Sequence, residues 1–162
     1  VSHTYGGDQE HGLRAGTENV PLIVGCAKAL TNAQDGYGVR KDDVGKLRDY
    51  LIEELLKNIE GVHVNGSREH RVANNVNISI DGVDGEYAVV TLDVKGVAAS
   101  TRSACSGTKT GGSHVVRTLT GDDDRAHGTI RCTLGEATTK RELDRIVTIL
   151  KEHVERVRTK GT

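Results

Sequence analysis

A cysteine at position 105 and an arginine at position 131 are the side chains of this 162-residue chain best suited by context to do chemistry. Cys105 lies in Ser100-Thr101-Arg102-Ser103-Ala104-Cys105-Ser106-Gly107-Thr108-Lys109-Thr110-Gly111-Gly112-Ser113, a polar, glycine-bearing run where a packed cysteine would find few apolar neighbours. Free cysteines in cores behave as small hydrophobes, whereas reactive ones are thiolates in exposed, electropositive settings. Arg102 and Lys109 supply two nearby cations, an effect that solvent screening keeps modest. The segment therefore reads as a thiol held out for nucleophilic chemistry. Arg131 sits in the alternating run Thr129-Ile130-Arg131-Cys132-Thr133-Leu134. Spacing leaves two uses open for it: a surface ion pair, the commoner fate of a strand arginine, or a planar fork that grips a carboxylate as lysine cannot.

The remaining reactive residue types have blander readings. Cys26 falls in an apolar helix and Cys132 in a strand, where packing is expected. Three widely spaced cysteines with no CxxC pair argue against a disulfide framework and against a structural zinc site. His11, His70 and His127 show no metal-ligand spacing, and His114 is expected to pack or cap at the start of its helix. No metal is expected. Lys and Arg total 22 against 23 for Asp and Glu, with both signs interspersed, so there is no basic footprint for nucleic acid and no polybasic membrane segment. No signal peptide or spanning apolar run is recognisable, which makes a cytoplasmic protein the expectation.

The elements that must position these residues follow from periodicity. With no Phe, Trp or Met, the interior has to be built from Val, Leu, Ile and Ala. Val20 to Leu30, with Pro21 near its start, predicts a helix. Val44, Leu47, Leu51, Leu55 and Ile59 recur at threes and fours, predicting an amphipathic helix over Asp42 to Ile59 that Gly61 ends. Val62 to Val64 is a short strand, and Val76, Ile78 and Ile80 alternate with Asn75, Asn77 and Ser79 in a strand with one covered face. Asp84 as cap and Gly96 as stop favour a helix over Gly85 to Lys95, with a strand over Val97 to Ser100 after it. Ser113 caps a brief helix through Leu119, Thr129 to Leu134 is another strand, and Thr139-Lys140-Arg141-Glu142 is a capping box opening a long helix. That order predicts an α+β fold, helices on a small, mainly antiparallel sheet, without internal repeats.

Four segments together carry a resemblance. They are Gly6-Gly7-Asp8-Gln9-Glu10-His11-Gly12-Leu13-Arg14-Ala15-Gly16-Thr17-Glu18-Asn19-Val20-Pro21, Ser103-Ala104-Cys105-Ser106, Ser113-His114-Val115-Val116-Arg117 and Ile130-Arg131-Cys132-Thr133-Leu134-Gly135. In content, order and spacing they resemble the C-terminal part of cysteine desulfurases of the NifS/IscS type, homodimeric fold-type I enzymes within the class V aminotransferases. Those enzymes use pyridoxal 5'-phosphate to take sulfur from L-cysteine, releasing L-alanine and leaving a persulfide on a loop cysteine. The resemblance implies that Cys105 is that cysteine, that Arg131 holds the substrate carboxylate, and that Thr17 reaches the cofactor phosphate in the partner subunit. A plain helix N-cap is the other reading of Thr17. The long Ser-Ala-Cys-Ser loop looks like the IscS/NifS group rather than the SufS group. It further implies a sulfur acceptor, such as an iron–sulfur scaffold protein, in cluster assembly or tRNA thiolation.

The same resemblance divides the chain into residues 1–38, a loop and helix at the end of the large cofactor-binding domain, and residues 39–162, the small domain carrying the cysteine loop at about 101–112. It places the Schiff-base lysine, the histidine that stacks on the cofactor ring and the aspartate that pairs with its nitrogen upstream of Val1. The chain thus reads as a fragment expected to be inactive alone. Two departures stand out: Ala73 replaces a frequent proline, and Arg102 replaces a glycine common before the Ser-Ala-Cys. Alternative readings are a non-enzymatic sulfur-relay or scaffold-docking module and a selenocysteine lyase.

Overall fold

The computed structural model describes residues 2–101 and 111–160. It divides into two compact units, Val1–Tyr37 and Gly38–Thr162. The first holds a single-turn 3-10 helix, Glu10–Gly12, and helix α1, Val20–Gln34. The second contains α2 (Tyr37–Asn58, its first residue shared with the boundary), β1 (Val62–Val64), β2 (Asn75–Ile80), α3 (Gly85–Val94), α4 (His114–Thr120), α5 (Asp123–His127), β3 (Thr129–Thr133) and α6 (Lys140–Lys160). The strands form one sheet in the order β1-β2-β3, both pairings antiparallel. This is the α+β class expected, with a small antiparallel sheet and helices on it.

Alternation along the strands sorts the side chains. Val76, Ile78 and Ile80 of β2 and Ile130 and Cys132 of β3 turn to one face and join a buried aliphatic cluster with Leu51 and Leu55 of α2, Leu92 of α3 and Leu143 and Leu150 of α6. Each such side chain stabilises the fold by about 1.5–3 kcal/mol. The opposite face is polar: paired residues share a face, so Asn77 stands beside Arg131, and Ser79 beside Thr129. The capping residues act as expected, with Asp84 Oδ1 accepting from the Glu86 N–H at 2.8 Å and Thr139 with Glu142 closing a reciprocal box.

The expectations are corrected at five places. Val97 to Ser100 is not a strand: the Val97 N–H is drawn to Leu92 O at the end of α3, and only Ser100 bridges to Arg131. Helix α5 was not foreseen, because Asp123-Asp124-Arg125-Ala126-His127 has no apolar period; Asp122 caps it by accepting from the Arg125 N–H at 2.9 Å. That helix lies over the polar face at one end, so Ser79 and Thr129 are buried and the sheet is covered there on both sides. Finally, α1 buries no residue and Cys26 is exposed rather than packed, since the other described helix of its unit is a single 3-10 turn. Helix α2 also begins earlier than the apolar spacing alone indicated, at Tyr37.

His153 of α6 is a buried polar residue with a determinable proton. The Thr91 hydroxyl donates to Tyr87 O at 2.9 Å, so the 3.0 Å contact between Thr91 Oγ1 and His153 Nδ1 requires Nδ1–H to donate. Nε2 is then a bare acceptor with no partner among the described residues. Burial, helped by the nearby Arg156 charge, lowers the imidazole pKa. A depressed histidine contributes stability that is present above its unfolded pKa of about 6.5 and is lost as pH falls through the folded value. Unfolding midpoints should therefore fall as pH drops below about 6.5, and His153→Leu should flatten that part of the profile in a denaturant series.

Candidate functional site

One end of the polar sheet face remains open, and a cleft of about 260 Å³ forms there. Its floor is a lateral row running across the strands. Asn65, one residue beyond β1, donates its backbone N–H to Asn77 O at 2.9 Å; Asn77 is registered with Arg131; and Arg131 exchanges backbone hydrogen bonds with Ser100. Thr101, Ser113 and Asn75 add polar walls, and Val115, Val116 and Leu119 add an apolar one. The cleft is below the size range of drug-sized ligand pockets, and among the described residues no carboxylate, lysine or aromatic ring lines it. Among the described residues it therefore suits a small anion and does not by itself build a pyridoxal phosphate site.

Arg131 is half-buried, and its guanidinium has no hydrogen-bond or ion-pair partner among the described residues. The surface ion pair, the bland alternative for this arginine, is thus not present among them. Two further guanidinium groups border the same floor. Arg125 donates through Nε to Asn65 Oδ1 and through Nη2 to Val64 O, each at 2.8 Å, and Arg71 donates to the backbone oxygens of Asn65 and, at 3.2 Å, Asn75. Burial holds Arg71 below its usual pKa, with Arg48 and Arg68 adding like charge. Three cations close to a cleft without an acid among its described lining residues attract an anion, and low local dielectric strengthens that attraction.

Cys105, Arg102 and Lys109 lie outside the described residues. The residues that border their segment are anchored at the cleft. Ser100 is bridged to Arg131, the Arg117 side chain donates to Gly111 O and pairs with Asp123, and the Ser113 N–H donates to Ala126 O at 2.9 Å. Ser113 is also the N-cap of α4, accepting from the Val116 N–H, and it takes the capping role that leaves His114 exposed at the first helical position. Cys132 is buried as expected, and burial pushes its thiol up to about 11, far from thiolate at neutral pH. Among the described residues no cluster of His, Cys, Asp and Glu could hold a metal ion, and no helix is long and apolar enough to cross a membrane.

Thr17 belongs to the first unit and is described within it. The Gly16 N–H donates to Gln9 Oε1 at 3.1 Å, and Arg14 Nη1 donates to the carbonyls of Gly16 at 2.7 Å and Thr17 at 3.2 Å. Gly16 holds φ +97, a conformation closed to most side chains. These contacts pin the backbone, while the Thr17 hydroxyl is exposed and unpartnered among the described residues. Thr17 is not the helix cap; Asn19 is, its Oδ1 accepting from the Leu22 N–H at 3.2 Å.

Asn65, Asn77, Arg71 and Arg125 were not singled out as functional residues from sequence. A signal existed for Asn77: asparagine is depleted in strands, so Asn75 and Asn77 in one short strand are anomalous. Asn65, Arg71 and Arg125 carry no local mark.

Residues 1–146 match the model of the aminotransferase class-V family. The chain belongs to that family. It is 42% identical over 155 residues to the cysteine desulfurase IscS of Dictyoglomus turgidum, covering 96% of this chain and 39% of the relative. It is also 42% identical over 154 residues to the cysteine desulfurase IscS 1 of Archaeoglobus fulgidus, with 95% and 40% covered. Among solved structures, a NifS-like protein matches with TM-score 0.79 at 30% identity, covering 95% of this chain and 39% of that one. The NifS-like protein of Rickettsia africae matches with TM-score 0.78 at 25% identity, covering 96% and 40%. This class V chain thus spans about two fifths of the length of these relatives.

Gly112 is the tightest backbone position beside the cleft in this family member. It holds φ +69, and a Cβ there would lie 2.5 Å from Ala126 O. Gly112→Ala should destabilise the chain by about 2–4 kcal/mol in urea unfolding, against about 1 kcal/mol for Ser113→Ala, which removes only a cap.

Proposed function

We propose that this chain is part of a pyridoxal phosphate-dependent cysteine desulfurase, its Arg131 cleft seating the carboxylate of L-cysteine and its Cys105 receiving the sulfur. The observation that carries the reading is a half-buried Arg131 with no partner among the described residues, in a cleft whose described lining holds no acid, on a chain whose named relatives are cysteine desulfurases. A fork of parallel N–H donors suits a carboxylate, and the small cleft suits a single amino acid.

Residues 1–38 belong, on this reading, to the end of a large cofactor-binding domain, and residues 39–162 are the small domain. Thr17 donates its hydroxyl to the cofactor phosphate of the partner subunit in a homodimer. The Schiff-base lysine and the ring partners come from the rest of the enzyme. Electron withdrawal that labilises the C–S bond of the substrate is the chemistry a bound pyridoxal phosphate supplies.

The role of this chain is to place the substrate and accept the sulfur. Three residues separate Cys105 from Thr101 on the cleft wall, four Cα–Cα steps that reach at most about 14 Å. The Cys105 thiolate forms the new S–S bond with the substrate sulfur as the C–S bond breaks, and L-alanine leaves with a proton where the sulfur was. The persulfide then passes to an acceptor such as an iron–sulfur scaffold or a tRNA-thiolating protein, in the cytoplasm.

Full-length enzyme provides the test. Arg131→Lys should raise KM for L-cysteine roughly 10–100-fold, because a point charge replaces a fork. Cys105→Ser should abolish persulfide formation and steady-state alanine release. Unchanged KM in the first or unchanged sulfur release in the second would sink the assignment. The 162 residues alone, mixed with pyridoxal phosphate and L-cysteine, should release no alanine.

A further inference from the structure

Resting on the carboxylate reading of the Arg131 cleft, we propose that Asn77 is a second donor to the substrate carboxylate, its amide turned the right way by Asn65 and Arg125. Hydrogen-bond direction fixes the orientation of both amides. A guanidinium can only donate. Arg125 Nε approaches the Asn65 side chain at 2.8 Å, so the Asn65 oxygen faces Arg125 and the Asn65 nitrogen faces the other way.

On that other side the Asn65 amide nitrogen donates to two acceptors, Asn77 Oδ1 and Ser79 Oγ, each at 2.8 Å. The Ser79 hydroxyl proton is committed to Arg125 O at 2.7 Å, which leaves a lone pair for Asn65 and locks the same orientation a second time. Asn65 is almost fully buried, so water does not compete for these contacts.

The direction propagates. Since the Asn77 oxygen is held by Asn65, its Nδ2 turns away, and that nitrogen donates to no group among the described residues. Asn77 lines the cleft beside Arg131, its registered neighbour on the same face of the sheet. Two neighbouring residues thus offer only donors to one cleft with no acid among its described lining residues. A carboxylate has two oxygens and about four lone-pair sites, so it can take the arginine fork and the amide N–H together. Asn77 would touch substrate; Asn65 and Arg125 act through it as positioning residues.

The experiment uses the full-length enzyme, with KM for L-cysteine and the inhibition constant of cysteamine, which has the amine and thiol but no carboxylate. Asn77→Leu should raise KM roughly tenfold with little change in kcat, and leave cysteamine inhibition unchanged. Asn65→Asp keeps shape and the Arg125 contact but puts an acceptor toward Asn77, so the Asn77 amide must turn its oxygen into the cleft. It should raise KM by a similar factor. The double variant should be no worse than Asn77→Leu alone. Should Asn77→Leu fail to fold by thermal melting, Asn77→Ser, which keeps an acceptor for Asn65, takes its place. An unchanged KM, multiplicative effects in the double variant, or cysteamine inhibition moving in step with KM would each overturn the inference. If Arg131→Lys also leaves KM unchanged, the carboxylate reading itself falls; if Arg131→Lys raises KM and the asparagine variants do not, only the role of Asn77 falls.

Discussion

The pairing of β2 with β3 sets Ile78 opposite Ile130 on one face and Asn77 opposite Arg131 on the other, and both core and cleft depend on that single register. Side chains alternate with a period of two, so a one-residue slip would carry Asn77 and Arg131 toward the core and bring isoleucines to solvent. Burial of Ile78, Ile80 and Ile130 beneath the helices opposes such a slip, since each costs about 1.5–3 kcal/mol to expose. The aliphatic core thereby holds the polar row in place from the other face of the sheet.

The polar face is divided by function along its length. Where α5 covers it, Ser79 and Thr129 are buried and their hydroxyls are consumed by the Arg125 carbonyl. Where α5 ends, the same face opens into the cleft. Arg125 serves both halves: its backbone oxygen satisfies the buried hydroxyls, and its guanidinium orients Asn65. A short helix with only Ala126 buried is thus tied to the sheet by hydrogen bonds rather than by apolar area. Such bonds are directional, which apolar packing is not, and direction is what a recognition site needs.

Unit Val1–Tyr37 has the opposite character. Its helix α1 exposes Leu22, Ile23, Val24 and Leu30, while its loop is pinned by Gln9 and Arg14. A helix apolar on several sides is of the kind found in interiors. The chain spans about two fifths of the length of the relatives it matches.

Much of the fold was legible from the sequence. The periods of Val44 to Ile59 and Leu143 to Val154, the alternation around Ile78 and Ile130, and the caps at Asp84, Ser113 and Thr139 all act locally, through spacings of two, three or four residues. Local signals also marked Arg131 as a residue with two uses. What escaped was non-local. Helix α5 has no apolar period, and Val97 to Ser100 looks like a strand until Gly96 and the end of α3 claim its first residue. Asn65 and Arg125 are 60 residues apart, and nothing near either announces the other. Residue types and spacing by themselves determined the elements, the core faces and the candidate groups; only the tertiary structure decided which asparagine faces which guanidinium, because the direction of a hydrogen bond is settled by the partner that folding brings.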